Sequence, residues 1–209
     1  MQVQDIPVAV HNVSFLENPH TILTIYEIVT VIKACYATTS PREGCDSAIT
    51  TINSILVSDD HVVVERTLFL LDTLYRQCGK PFSICFADYL SFYRTLIESP
   101  DLSERNRQQF LNMIGDWVSS DFDNTLSKHL DMTPKLRQFF EALLRAGYDF
   151  PEESLSKLPP GTVERLRNES NQWWKGVLNG FHFKSVKGVK SVSPPPSLNR
   201  TTRPVVAVN

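Results

Sequence analysis

The chain has 209 residues, 42 % hydrophobic and 21 % charged, with a formal net charge of −2. That is an ordinary globular mix, long enough for one full core plus a tail. No apolar run reaches the ~20 residues a membrane-spanning helix needs, and the start, MQVQDIPVAVH, lacks the basic region and apolar centre of a signal peptide. The expected compartment is the cytosol or a cytosolic membrane face. The charge is unevenly spread: residues 1–169 carry 15 Lys/Arg against 23 Asp/Glu, whereas the remainder holds six Lys/Arg and no acid. Cys35, Cys45, Cys78 and Cys85 form no CxxC pair and no ligand spacing with His, so a structural zinc is not expected and the thiols read as small buried hydrophobes.

Residues 1–18 read as irregular, because Pro7 interrupts them and their apolar residues show no period. A first helix is predicted from about Thr21 to Cys35, with Ile22, Ile25, Tyr26, Val29 and Ile32 at three- and four-residue steps. ATTSPREG, residues 37–44, is a loop by composition. A second helix spans about Cys45 to Val57, its length and spacing outweighing a β-branched content that would suit a strand. The stretch from Asp59 to Phe86 organises the rest. Ser58, Asp59 and Asp60 supply cap oxygens and negative charge where a helix has unpaired N–H groups. Val62, Val63, Leu68, Leu71, Leu74 and Tyr75, widened by Phe69 and Leu70, make an apolar stripe too broad for a surface helix. Cys78-Gly79 ends that helix, and Pro81 begins another that is predicted to run to Ile97.

Ser99-Pro100-Asp101 turns the chain into a helix from Asp101 to Val118, with Phe110, Leu111, Ile114 and Trp117 inward and Ser103 to Gln109 outward. A polar break at 119–124 and a short apolar segment at 126–130 lead to Thr133-Pro134, a helix start signal. The helix that follows carries Leu136, Phe139, Phe140, Leu143 and Leu144 and stops at Gly147. No strand pattern appears. The expectation is an all-α fold, a right-handed superhelix of about eight helices with a C-terminal extension. The expected divisions are an irregular segment 1–18, a helical domain 19–151, a linker with a further helix over 161–178 within 152–183, and a disordered basic tail 184–209.

The chemistry of an enzyme is missing from the motifs. His11, His20, His61, His129 and His182 match no HExxH, no phosphate-binding glycine loop occurs, and there is no GxSxG elbow. No catalytic residue and no cofactor are expected. Asp72, inside the apolar central helix, is either buried with partners or at an edge facing a ligand groove.

SDDHVVVERTLFLLDTLYRQCGKPF resembles the VHS domain through Asp60, Val62, Leu68, Leu70, Leu71, Asp72, Cys78, Gly79 and Phe82, with Gln77 in place of the usual Asn. Trp117 and Phe122 in MIGDWVSSDF, and LRQFFEALLRAGYDFP, extend the resemblance over about 19–151, as seen in endosomal sorting subunits of the Hrs and STAM type and, more distantly, fungal adaptors. The resemblance implies an eight-helix right-handed superhelix and a non-enzymatic sorting adaptor at endosomes or other vesicle-trafficking membranes. It implies ubiquitin, ubiquitinated cargo or a sorting peptide as partner and no direct contact with nucleic acid. Many such domains bind ubiquitin through the second and fourth helices with a Trp on the second. Residues 21–35 contain no Trp, so Ile22 or Tyr26 stands in its place. The protein-binding residues implied are Ile22, Tyr26, Thr30, Asp72, Tyr75 and Arg76. Trp173, Trp174, Lys175, Lys184, Lys187 and Lys190 are the candidates for contact with an anionic membrane surface.

LLDTLYRQCGKPFSICF and FLNMIGDW also resemble the domains that bind the C-terminal repeats of RNA polymerase II. That alternative implies a nuclear module in which Asp72 contacts a peptide Tyr and Arg76 and Lys80 lie near its phosphates. A structural scaffold is the third reading.

Overall fold

Asp60 begins the central helix as expected, its Oδ1 accepting from the backbone N–H of Val62 at 2.9 Å and of Val63 at 3.2 Å. The structure, a computed structural model, describes residues 1–15, 20–37, 41–123 and 134–169, with backbone only at 120–123. A 3-10 turn at Val3–Asp5 is followed by α1 (Ile6–Phe15), α2 (Thr21–Tyr36), α3 (Glu43–Leu56), α4 (His61–Cys78), α5 (Lys80–Phe86), α6 (Leu90–Glu98), α7 (Glu104–Asp123), α8 (Pro134–Arg145) and α9 (Glu152–Ser156). Among the described residues every regular element is a helix. The fold is an all-α superhelical stack.

α4 packs on α1, α2, α3, α5 and α7. Val63, Leu68, Leu70, Leu71 and Leu74 are buried, which accounts for the breadth of its stripe. Gly79 ends it at φ 62° and ψ −139°, a backbone region that a side chain would strain, and its N–H donates to the Tyr75 carbonyl. An aromatic cluster binds α4 to the elements after it. Tyr75 stacks on Trp117 with centroids 3.9 Å apart, Phe86 meets Trp117 edge-on, and Tyr93 stacks on Phe86.

Four expectations are corrected. Of the segment expected to be irregular, residues 3–15 are helical and 16–18 lie outside the described residues: Pro7 sits in the first turn of α1, where its missing N–H breaks no bond, and Ile6, Val10 and Val13 enter the core against α2, α3 and α4. The helix expected from Pro81 to Ile97 is two helices. No Gly or Pro marks the corner; Asp88 there is held by Arg42 and Lys135, each at 2.8 Å and each more than forty residues away. The polar stretch 103–109 does not all face outward. Asn106 is buried and donates to the His61 carbonyl, while Arg107 donates to the carbonyls of Ile97, Ser99 and Leu102. Finally, the body continues past Pro151: α9 packs on α7, and Leu158 and Leu166 join the core. Gly115 permits that approach, since a Cβ there would lie 3.2 Å from Phe150 and Ser154. Residues 162–169 are helical, in line with the start of the helix expected from 161, whose remainder lies outside the described residues. The chain divides into Met1–Gln172 and Trp173–Asn209; the basic tail and the apolar segment 126–130 fall outside the described residues.

Candidate protein-binding surface

α2 buries Ile25, Ile28, Val29, Ile32 and Cys35 and leaves an apolar stripe uncovered. Ile22 is 79 % exposed, Leu23 60 % and Tyr26 70 %. Ile22 and Tyr26 had been placed on the packed face as well as in the binding site; the structure puts them outside it. The helical step explains this. Ile25, Ile28, Val29 and Ile32 already make a complete inward face, and Ile22 and Tyr26 project from its flank. Thr30, one turn on, is exposed and donates its hydroxyl to the Tyr26 carbonyl at 2.8 Å. Lys33 lies on the same flank, and its positive charge acts on the Cys78 thiol at the end of α4, which burial pushes up to about 12. α2 and α4 pack directly on each other. The outer ridge of α4 adds Val62, 53 % exposed, and Phe69, 59 % exposed. Phe69 had been read as widening a buried stripe; it is on the surface. Scattered apolar residues are normal on a protein surface, but Ile22, Leu23 and Tyr26 are exposed close together on one helix.

The other named residues of α4 face α7. Tyr75 is not on the surface: it is 5 % exposed, its ring held between Trp117 and Phe86. Asp72 is engaged inside the fold. Its Oδ1 accepts from the Trp117 indole N–H at 2.7 Å and from Arg76 Nε at 2.8 Å, and its Oδ2 accepts from Arg76 Nε at 3.0 Å. Arg76 also lies 3.7 Å from Asp116, which accepts from the Ser154 hydroxyl at 2.7 Å. The chain therefore splits the implied site in two. Ile22, Tyr26 and Thr30 stay at the surface, whereas Asp72 and Tyr75, with the still exposed Arg76, bind α4 to α7 and, through Asp116, to α9. Leu23, Val62 and Phe69 were not singled out for binding from the sequence. Their signal was a stripe wider than the neighbours available to cover it. Trp173, Trp174, Lys175, Lys184, Lys187 and Lys190 lie outside the described residues. Among the described residues no group of three His, Cys, Asp or Glu is placed to hold a metal ion, and no helix is long and apolar enough to cross a membrane.

No protein-family model matches the chain, and no curated protein matches it. A solved structure is similar: the crystal structure of the VHS and FYVE tandem domains of Hrs, a protein involved in membrane trafficking and signal transduction. The TM-score is 0.54 at 17 % identity, over 70 % of this chain and 63 % of that one. The chain thus spans less than two thirds of that structure. At this identity the likeness is one of fold alone: an all-helical, VHS-like stack.

Proposed function

We propose that this chain is a non-enzymatic protein-binding adaptor of membrane trafficking, recognising ubiquitin or ubiquitinated cargo through the apolar patch on α2 and α4. The observation that carries the reading is the uncovered set Ile22, Leu23 and Tyr26 on a VHS-like stack. Isolated hydrophobic residues need no partner, but exposed Ile22, Leu23 and Tyr26 on one helix, with Glu27, Thr30 and Lys33 following them, have the make-up of a small protein interface. Tyr26 supplies the flat amphipathic ring that a Trp supplies in related domains. A sorting peptide is the competing ligand of the same patch. The basic residues after Glu169 add attraction to an anionic leaflet, at about 1 kcal/mol per Lys or Arg near the surface. The polymerase-tail alternative is weakened, because the Asp72 carboxylate it requires already accepts from Trp117 and Arg76.

An NMR titration of the full chain with monoubiquitin tests this. Shifts confined to α2 and α4, lost in Tyr26→Ala, are expected. Absence of saturable shifts at millimolar ubiquitin removes ubiquitin as the partner. Flotation with phosphatidylserine vesicles tests the tail; an unfloated full chain removes the membrane contact.

A further inference from the structure

On the side of the stack where α3 turns into α4, a second concavity opens, of about 170 Å³. Its floor is apolar: Leu56, Val64, Leu96 and Leu102 are buried and Phe92 is half-buried. A cavity of about 150 Å³ with such a lining takes up benzene, so this volume suits one large apolar side chain. The pocket is rigidly framed. Asn106 fastens the start of α4 by donating to the His61 carbonyl at 3.0 Å, and Arg107 holds the α6–α7 turn through three backbone carbonyls. The lining is also charged and polar, with His61, Ser99 and Asp101 among it. Asp101 accepts from the Ser99 hydroxyl at 3.5 Å, and Asp59 is the chain neighbour of the lining Ser58. Neither carboxylate makes an ion pair among the described residues. The nearby cations are committed elsewhere, Arg107 to Glu104 and Arg105 to Glu65 at 2.7 Å. Asp60 adds a third negative charge, tempered by the α4 N-terminus that it caps.

An apolar socket with an anionic lip calls for an occupant that is apolar at one end and cationic at the other. We infer that this pocket is a docking site for a short linear peptide segment in which a bulky apolar side chain is directly followed by Lys or Arg. The apolar chain enters between α3, α6 and the α6–α7 turn, and the cation meets Asp101 at the rim. The site is independent of the α2–α4 patch and does not rest on the ubiquitin reading.

The test is an NMR titration of the full chain with Ac-Gly-Leu-Arg-Gly-amide, with the Leu-Glu and Ser-Arg tetrapeptides as controls. Saturable shifts are expected for the amides of Ser58, His61, Thr95 and Asn106, with a Kd of about 1 mM. The Leu-Glu and Ser-Arg peptides should not saturate. Asp101→Lys should weaken the Leu-Arg peptide roughly fivefold or more. Thr95→Trp, at an exposed lining position, should plug the mouth and abolish binding while the unfolding midpoint is unchanged. No saturable shift, shifts that map to α2 instead, or equal binding of the Leu-Glu peptide would each overturn the site.

Discussion

Two tyrosines on neighbouring helices, Tyr75 on α4 and Tyr26 on α2, mark two kinds of surface. Beside Tyr75 the Asp72 carboxylate accepts from Trp117 and Arg76, and the ring is stacked on Trp117. Around Tyr26 the apolar side chains lie open. The same residue type thus serves stability at one seam and is left free at the other. The difference lies in what packs opposite: α7 covers one flank of α4, and no described helix covers the outer flank of α2. Aromatic content alone does not say which ring is buried; the presence or lack of a covering element does.

The sharpest way to break that contrast is Trp117→Ala. It removes a buried ring and the donor to Asp72 together, and a loss of about 3–5 kcal/mol is expected in urea unfolding; a loss below 1 kcal/mol would show that the α4–α7 seam is not what stabilises the body. Asp72→Ala keeps the ring but leaves its indole N–H without an acceptor. A cost of about 1–3 kcal/mol is expected, and additivity with Trp117→Ala in a double-mutant cycle would disprove their coupling.

A smaller effect concerns the corner between α5 and α6. Lys135 and Arg42 hydrogen-bond Asp88 and hold its carboxyl below its ordinary value of 3.8, while the same pairing raises the Arg42 guanidinium. The folded-state value is depressed, so the stabilisation is present above the ordinary carboxylate range and is lost as pH falls through the lower folded value. All three side chains are more than a third exposed, so screening keeps the contribution below about 1 kcal/mol. Asp88→Asn should therefore be slightly less stable than the parent at pH 7, with the gap closing in strong acid and in high salt; a gap independent of pH would exclude the charge pairing. Last, Tyr26→Ala should change stability by less than about 0.5 kcal/mol while removing the partner-induced shifts on α2. A large fall in its unfolding midpoint would mean that Tyr26 is a packing residue after all.

Much of this was legible in the residues. The Asp60 cap, the Gly79 stop and the Pro134 start are local signals, and each is found where it was read; the stripe of α4 is buried except at Val62 and Phe69, which are exposed. α1 was hidden because Pro7 was taken for a breaker, although a Pro in the first turn breaks nothing. The α5–α6 corner was hidden because its cause, the clasp of Asp88 by Arg42 and Lys135, comes from distant segments.

Helical periodicity, caps and stops are written in neighbouring residues, so the sequence by itself determined that the body is a stack of helices centred on α4. Which flank of a helix meets another helix depends on residues far apart in the chain. Only the tertiary structure decided that Tyr75 and Asp72 are enclosed by α7 while Tyr26 and Phe69 face outward, because burial is a property of the covering partner and not of the residue covered.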